Sequence, residues 1–307
     1  MTGRIVVVGD TLLDVDLAGG ATRLAPDGPV PVVDVTSRRE RAGGAGLVAA
    51  LLAADGVEAT LATALSRDAG GDRIRRALGG IRVAAAELAG PTPTKTRLHA
   101  SGHPVARIDE GCGTIPPIRR VGPVVDAIAA ADVVIASDYG RGLLGEPEVR
   151  AALAESARSK PIVWDPHPRG ADPVEGCAVV TPNRSEAAGF AGRRIDDAES
   201  ALVAAAALRL RWGSGCVVLT LDADGAAAVL DDATSHLVAA QPIEVLDACG
   251  AGDRFSSAVG LALARRSTMS EAIASGVRAS GDFLAAGGVA ALPAPTAAAR
   301  RPLQAVG

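Results

Sequence analysis

The stretch Asp247-Ala248-Cys249-Gly250-Ala251-Gly252-Asp253 joins a strand-like run, Pro242–Leu246, to a helix-like one, Arg254–Ala264. In the latter, Phe255, Ala258, Val259 and Ala262 recur at the i, i+3, i+4, i+7 spacing of a buried helix face. Gly250 and Gly252 let the backbone turn tightly and approach a ligand closely. A helix N-terminus presents unpaired N–H groups and a partial positive charge, so it favours an anion. Asp253 adds a carboxylate beside that anion site, the equipment for taking a proton from a hydroxyl as a phosphoryl group arrives. The same residues also describe an ordinary Gly-rich loop with Asp253 as its helix N-cap. Taken alone, they do not separate the two readings.

Working outward, the pattern is of strands that end in polar residues. Arg4–Val8 is a β-branched run ending in Gly9-Asp10, a first buried strand, with Asp10 read as a loop cap and Asp14 just beyond it. From Ile118 onward the alternation is regular. Helix-like 118–130 precedes strand Asp132–Ala136, which ends in Ser137-Asp138-Tyr139-Gly140-Arg141-Gly142, and helix-like 146–158 precedes strand Pro161–Trp164, which ends at Asp165-Pro166. Strand Ala178–Thr181 ends at Pro182-Asn183-Arg184-Ser185-Glu186. Helix 195–212, with Val203, Ala206, Ala207 and Leu210 expected inside, leads to strand Cys216–Leu221. Such alternation means a largely parallel sheet covered on both faces, and ligands of such sheets sit beyond the carboxyl ends of the strands.

Two segments break the pattern. Residues 14–36 carry Pro26, Pro29 and Pro31, with Val30–Val35 as an edge strand, and residues 93–112 read as a hairpin, Thr94–Ala100 and Val105–Asp109 around Ser101-Gly102-His103-Pro104. Between them, Ala42-Gly43-Gly44-Ala45-Gly46 opens a helix to about Ala54, followed by strand Val57–Thr63 and helix Gly70–Leu78. Lys95, Arg97 and Arg107 concentrate positive charge on the hairpin. They form either a solvated face or a clamp for an anionic substrate.

The bulk numbers bound the rest. The chain has 307 residues, 48% hydrophobic and only 2% aromatic, so Ala, Val and Leu fill its core. We expect one domain spanning 1–307 with the two β-rich insertions, the Ala/Pro-rich tail after Leu292 being loose. A net charge of −4 without a basic block argues against nucleic acid and anionic membrane as partners. Ile5–Val8 is too short for a signal peptide or a membrane span. Cys112, Cys177, Cys216 and Cys249 form no CxxC pair, which excludes a sequence-readable zinc site and points to reduced thiols in the cytoplasm.

The strand-end residues Asp14, Asp138, Asn183, Glu186, Thr220, Asp247 and Asp253, with an anion hole, suit a Mg²⁺–nucleotide phosphoryl-transfer site. No GxxxxGK[ST] loop or protein-kinase motif set is present. On Asp247–Asp253, Pro182–Glu186 and Gly43-Gly44-Ala45-Gly46, the chain resembles the ribokinase-like (PfkB) carbohydrate kinases. Within them it most resembles the kinases of D-glycero-β-D-manno-heptose 7-phosphate. The residues behind this are Val8–Asp14, Arg23–Val33, Thr94–Arg97, Arg107–Asp109 and Ser137–Gly142.

The resemblance, which runs from about residue 4 to 290, implies a ribokinase-like three-layer α/β/α sandwich with a mostly parallel central sheet, a small β-lid, and a homodimer paired through that lid. It implies Asp253 as catalytic base and the N–H groups of Gly250, Ala251 and Gly252 as the anion hole. Asp14, Gly43, Gly44, Lys95, Arg97, Arg107 and Asp138 would bind the sugar phosphate. ATP would lie along Asn183, Glu186, Thr220, Gly225, Gly250 and Gly252, with Mg²⁺ organised through water by Asn183 and Glu186, and K⁺ near Asp247. Three positions depart from the pattern. Leu47 stands where the family has a sugar-binding Asn, Cys249 replaces a Thr, and Val277 replaces an Asn near the adenine. Leu47 implies altered sugar specificity, because a lost hydrogen-bond partner at a polar site changes discrimination by orders of magnitude. The rival readings are an idle homologue that binds a sugar phosphate or nucleotide, and a kinase for an unphosphorylated sugar or a nucleoside.

Overall fold

The computed structural model describes residues 3–231, 234–243, 245 and 247–292. Among these residues are fourteen strands and eight α-helices. In chain order they are β1 (Ile5–Gly9), β2 (Thr11–Leu24), β3 (Pro31–Gly44), α1 (Ala45–Ala54), β4 (Ala59–Leu65), α2 (Ala69–Ala77) and β5 (Arg82–Leu88). Then come β6 (Thr94–Ala100), β7 (His103–Glu110), β8 (Ile118–Arg119), α3 (Gly122–Ala130), β9 (Val133–Ser137), α4 (Pro147–Ala157), β10 (Ile162–Asp165) and β11 (Val179–Val180). The last are α5 (Arg184–Ala191), α6 (Ala198–Trp212), β12 (Cys216–Thr220), β13 (Ala226–Leu230), β14 (Ser235–Val238), α7 (Ala251–Ala264) and α8 (Met269–Ala285).

The larger sheet has the order β14-β13-β12-β11-β10-β9-β1-β4-β5-β8, parallel from β12 through β5 and antiparallel at both ends. The β-branched residues of β1 alternate between two cores, as a strand buried on both faces requires. Val6 and Val8 belong to the core that α3, α4, α5 and α6 line, whereas Ile5 and Val7 belong to the one that α1, α2, α7 and α8 line. The result is a ribokinase-like three-layer sandwich.

The two irregular segments pair with each other. β3-β2-β6-β7 form a separate four-stranded sheet, with β2 parallel to β6 and the other pairs antiparallel. It is rooted at the carboxyl end of β1, since β2 starts one residue after β1 and β3 runs straight into α1. Its strands reach further than the prolines suggested, to residues 11–44, because those prolines sit at the β2–β3 turn and the sheet's free end.

Three expectations are corrected. Residues 242, 243 and 245 form no strand, and 244 and 246 lie outside the described residues. Ile243 and Val245 are exposed, so the run has no apolar face buried against a neighbour. The helix expected over 118–130 starts only at Gly122, with Ile118 and Arg119 pairing with β5. On α6 the buried stripe is Ala201, Ala204, Ala205, Leu208 and Trp212, while Val203, Ala207 and Leu210 face outward. An alanine-rich helix carries little hydrophobic contrast, so its face is poorly specified by sequence. The tail beyond Leu292 lies outside the described residues.

Candidate active site

α7 begins at Ala251, with Gly250 as its N-cap in a left-handed conformation (φ 83°). Asp253 is therefore in the first turn of the helix and does not cap it. The Ala251 N–H is spent on Ala248 O at 3.2 Å, which removes it from the expected anion hole. The N–H groups of Gly250, Gly252 and Asp253 have no acceptor among the described residues. Asp247 is exposed and holds the turn, its Oδ1 accepting from the Cys249 N–H at 2.9 Å.

Asp253 is 6% exposed. Its only donor among the described residues is the Tyr139 hydroxyl, 2.8 Å from Oδ1 and 2.9 Å from Oδ2. Burial pushes its carboxyl up to about 7, the charges of Asp14 and Glu186 add to this, and Tyr139 and Lys95 oppose it. A carboxylate poised there suits general-base work near neutral pH.

Two more carboxyls close this side. Asp165, at the end of β10, accepts from Thr181 Oγ1 and Ser256 Oγ, each at 3.3 Å. Burial, then the charges of Glu186 and Asp253, hold it well above the carboxylate range. Glu186 and Asn183 form a reciprocal capping box on α5, each side chain accepting the other's backbone N–H at 2.9 Å. Burial raises Glu186 too. Thr220 joins this corner through a bridge to Asn183. Gly225 (φ 94°) serves the fold, because Val238 O occupies the space of a Cβ. Asn183 and Glu186 lie beyond the carboxyl end of β11, and Thr220 is the last residue of β12.

The small sheet turns a charged face toward Asp253. Register places Asp14 beside Arg41 and Lys95, Asp16 beside Arg97, Arg97 beside Arg107 and Lys95 beside Asp109. Arg97 Nη1 donates to Asp14 Oδ1 at 2.9 Å, Arg41 Nη2 lies 3.6 Å from Asp14 Oδ2, and Arg41 also pairs with Asp16. Arg107 is exposed and forked onto Asp109 at 2.7 and 2.9 Å. The expected clamp of three cations is thus divided, with Arg97 and Arg107 neutralised locally. Lys95 has no carboxylate partner among the described residues, and its Nζ lies 5.6 Å from the Tyr139 ring centroid. Beside it are His167 and Arg169, whose charge, with that of Lys95 and above all burial, lowers the His167 pKa.

The Gly43-Gly44 turn is sterically obligatory. A Cβ on Gly43 would collide with the Asp14 carboxylate, and one on Gly44 (φ 63°) with Asp10 O. Asp10 caps the neighbouring loop, accepting from the N–H groups of Tyr139 (3.2 Å), Arg141 (2.8 Å) and Leu143 (3.2 Å). Asp138 belongs to the same loop rather than to the cleft. Its oxygens take the N–H groups of Gly140 (2.7 Å) and Ala171 (2.9 Å), and burial with the Asp10 charge pushes it up to about 7. Leu47, 3% exposed, packs with Leu51 and Phe283, its Cδ2 3.1 Å from where a Gly250 Cβ would stand.

Tyr139, Arg41, Asp165, His167 and Arg169 were not singled out from the sequence. Asp165 was legible by the strand-end rule applied to its neighbours. Tyr139 and Arg41 needed the loop and lid geometry.

The fold has known counterparts. Arabidopsis thaliana ribokinase, in a structure with ribose and ATP, superposes with a TM-score of 0.75 at 20% identity over 97% of both chains. Escherichia coli phosphofructokinase-2 with fructose-6-phosphate gives 0.71 at 18% identity, over 92% of this chain and 94% of that one. Residues 2–297 match the model of the pfkB family carbohydrate kinases, and the chain belongs to that family. It is 43% identical to the bifunctional protein HldE of Streptomyces coelicolor and 34% identical to that of Caulobacter vibrioides, over 94% and 87% of this chain. It spans 62% and 57% of the length of those relatives.

Proposed function

We propose that the chain is an ATP-dependent kinase that phosphorylates the 1-hydroxyl of a sugar phosphate, a heptose 7-phosphate. The observation that carries this is the buried Asp253 carboxyl beside N–H groups at the α7 N-terminus that have no acceptor among the described residues. Proton acceptance and stabilisation of transferring phosphoryl charge then converge on one point. The acceptor O–H breaks toward Asp253 as the oxygen attacks phosphorus and ADP leaves. Gly250, Gly252 and the Asp253 N–H hold the phosphoryl oxygens, in place of the trio that included Ala251. Asp14, oriented by Arg97 and Arg41, accepts from sugar hydroxyls over the Gly43-Gly44 turn. Lys95, with Arg169 and His167 nearby, faces the substrate's existing phosphate.

ATP extends from the α7 N-terminus toward Asn183 and Thr220. The donor set fits Mg²⁺ held mainly through water and phosphate. Among the described residues no group of three His, Cys, Asp or Glu side chains is arranged to hold a metal ion, yet burial raises both Glu186 and Asp165, and the Glu186 charge raises Asp165 further, which a cation would relieve. Bound Mg²⁺ would neutralise phosphate charge. K⁺ at the Asp247 turn, a homodimer through the lid and a cytoplasmic location complete the proposal. Exposed Val35, Val105 and Ile108 on the lid favour the dimer, and no helix among the described residues is long and apolar enough to cross a membrane.

An unphosphorylated acceptor is the second reading, favoured by the ion pairing of Arg97 and Arg107. ADP release measured over matched phosphorylated and free sugars separates the two. A strong preference for the phosphorylated member supports the first, and equal efficiency the second.

A further inference from the structure

We propose that Tyr139 is the positioning residue of the phosphoryl-transfer site, its phenol orienting the Asp253 carboxylate so that one oxygen is presented to the acceptor hydroxyl. The inference rests on the reading of Asp253 as the base.

The phenol is the only donor to that carboxylate among the described residues, and it sits nearly equidistant from both oxygens. It has one proton, so it satisfies one oxygen at a time and leaves the other for the incoming hydroxyl. During transfer the acceptor O–H bond breaks and an Asp253 O–H bond forms. The new O–P bond replaces the P–O bond to ADP, and Tyr139 keeps its proton throughout.

The ring is held from several sides. Its backbone N–H is fixed on buried Asp10, and its Cδ2 lies 3.2 Å from where a Gly44 Cβ would stand, so the glycine turn makes room for it. Lys95 lies over its face. Asp138, through Gly140 N–H, anchors the next residue of the loop. These contacts come from β3, β6 and the loop after β9, so the ring reports on the lid and the sheet together.

The charged groups around Asp253 are Asp14 from β2, Lys95 from β6, Asp165 from β10 and Glu186 from α5. Lys95 favours ionisation of the base, and the charges of Asp14 and Glu186 oppose it. The phenol opposes those two charges by hydrogen bonding to the ionised form. Removing it therefore leaves more of the base protonated at neutral pH.

The experiment exploits the fact that Tyr139 is the only tyrosine of the chain. Protein labelled with ¹³Cζ-tyrosine gives one phenol resonance. In the substrate-free protein that resonance should titrate with the Asp253 carboxyl, and the titration should vanish in Asp253→Asn. Kinetics on Tyr139→Phe, which keeps the ring, should show kcat lowered by about 10–100-fold with KM changed less than about threefold. The acid limb of its kcat/KM profile should move to higher pH. A resonance that ignores Asp253, unchanged kinetics with an unmoved limb, or a change confined to KM would each overturn the assignment. The last would make Tyr139 a sugar contact. If the wild-type protein phosphorylates no sugar, the functional reading fails by itself, and the single-tyrosine titration still decides whether the phenol governs Asp253.

Discussion

Arg97 and Asp14, read from the sequence as two separate substrate ligands, hold each other: Arg97 Nη1 donates to Asp14 Oδ1 at 2.9 Å across the β2–β6 pair. Arg97 is 24% exposed and Asp14 7% at their side chains, so this is a partly desolvated, charge-assisted bond and stronger than a surface pair. On the proposed reading, Arg97 acts through Asp14 on sugar hydroxyls, whereas Lys95, with no carboxylate partner among the described residues, meets the phosphate.

The two roles separate kinetically. Arg97→Ala should raise KM about tenfold for phosphorylated and free sugars alike, while Lys95→Ala should raise it by a similar factor only for the phosphorylated ones. Steady-state kinetics on matched pairs checks this. Equal losses from both variants on both sugars would return the two residues to one role.

Gly43→Ala tests whether the glycine turn exists for Asp14. The added methyl must displace the Asp14 carboxylate. We expect catalytic efficiency to fall by at least ~10-fold, with about 1–3 kcal/mol of stability lost to overpacking. Urea denaturation alongside the assay checks both, and full activity would remove Asp14 from the sugar site.

What the sequence made legible follows from physics that is local. The β-branched run of β1 and the Gly-rich turn leading into α7 are short-range patterns, and both form; the capping box Asn183–Glu186 is just as local, but those residues were read as a strand end and a family motif. The exposed face of α6 and the pairing of Arg97 with Asp14 were not legible, because each depends on a partner chosen in three dimensions; the Ala251–Ala248 and Arg107–Asp109 bonds are local, but they depend on turn and strand geometry that residue types alone do not fix. Residues 242, 243 and 245 show the same limit, since strand-like residue types form a strand only where tertiary packing gives them a face to bury.

Leu47 was read as a missing sugar contact, and its surroundings explain how the chain accommodates it. Leu51, Phe283 and the Gly250 backbone enclose the side chain. Leu47→Asn should therefore cost about 3 kcal/mol, combining lost apolar burial with a buried amide. A denaturation midpoint unchanged from wild type would show that this wall tolerates the amide.

Asp253 links function to stability through pH. Its folded pKa of about 7 is above the ordinary 3.8, mainly through burial. The stability that goes with a raised pKa is present below the unfolded value and is lost as pH rises through the folded one, here from about 4 to 7. Asp253→Asn escapes that loss. Its melting temperature should exceed that of the wild type at pH 8 and converge with it near pH 4, and the difference in stability should reach at most on the order of 4 kcal/mol. Differential scanning calorimetry across this range checks the sign; Asp253→Asn melting below the wild type at pH 8 would reverse it.

The most direct measurement is turnover of Asp253→Asn with a heptose 7-phosphate at saturating Mg²⁺ and ATP, followed by ADP release, with ATP affinity measured separately. The account predicts that ATP affinity is retained while kcat falls by at least ~10²-fold, the lower end of what a general base contributes. Turnover near that of the wild type would contradict it and move the base elsewhere.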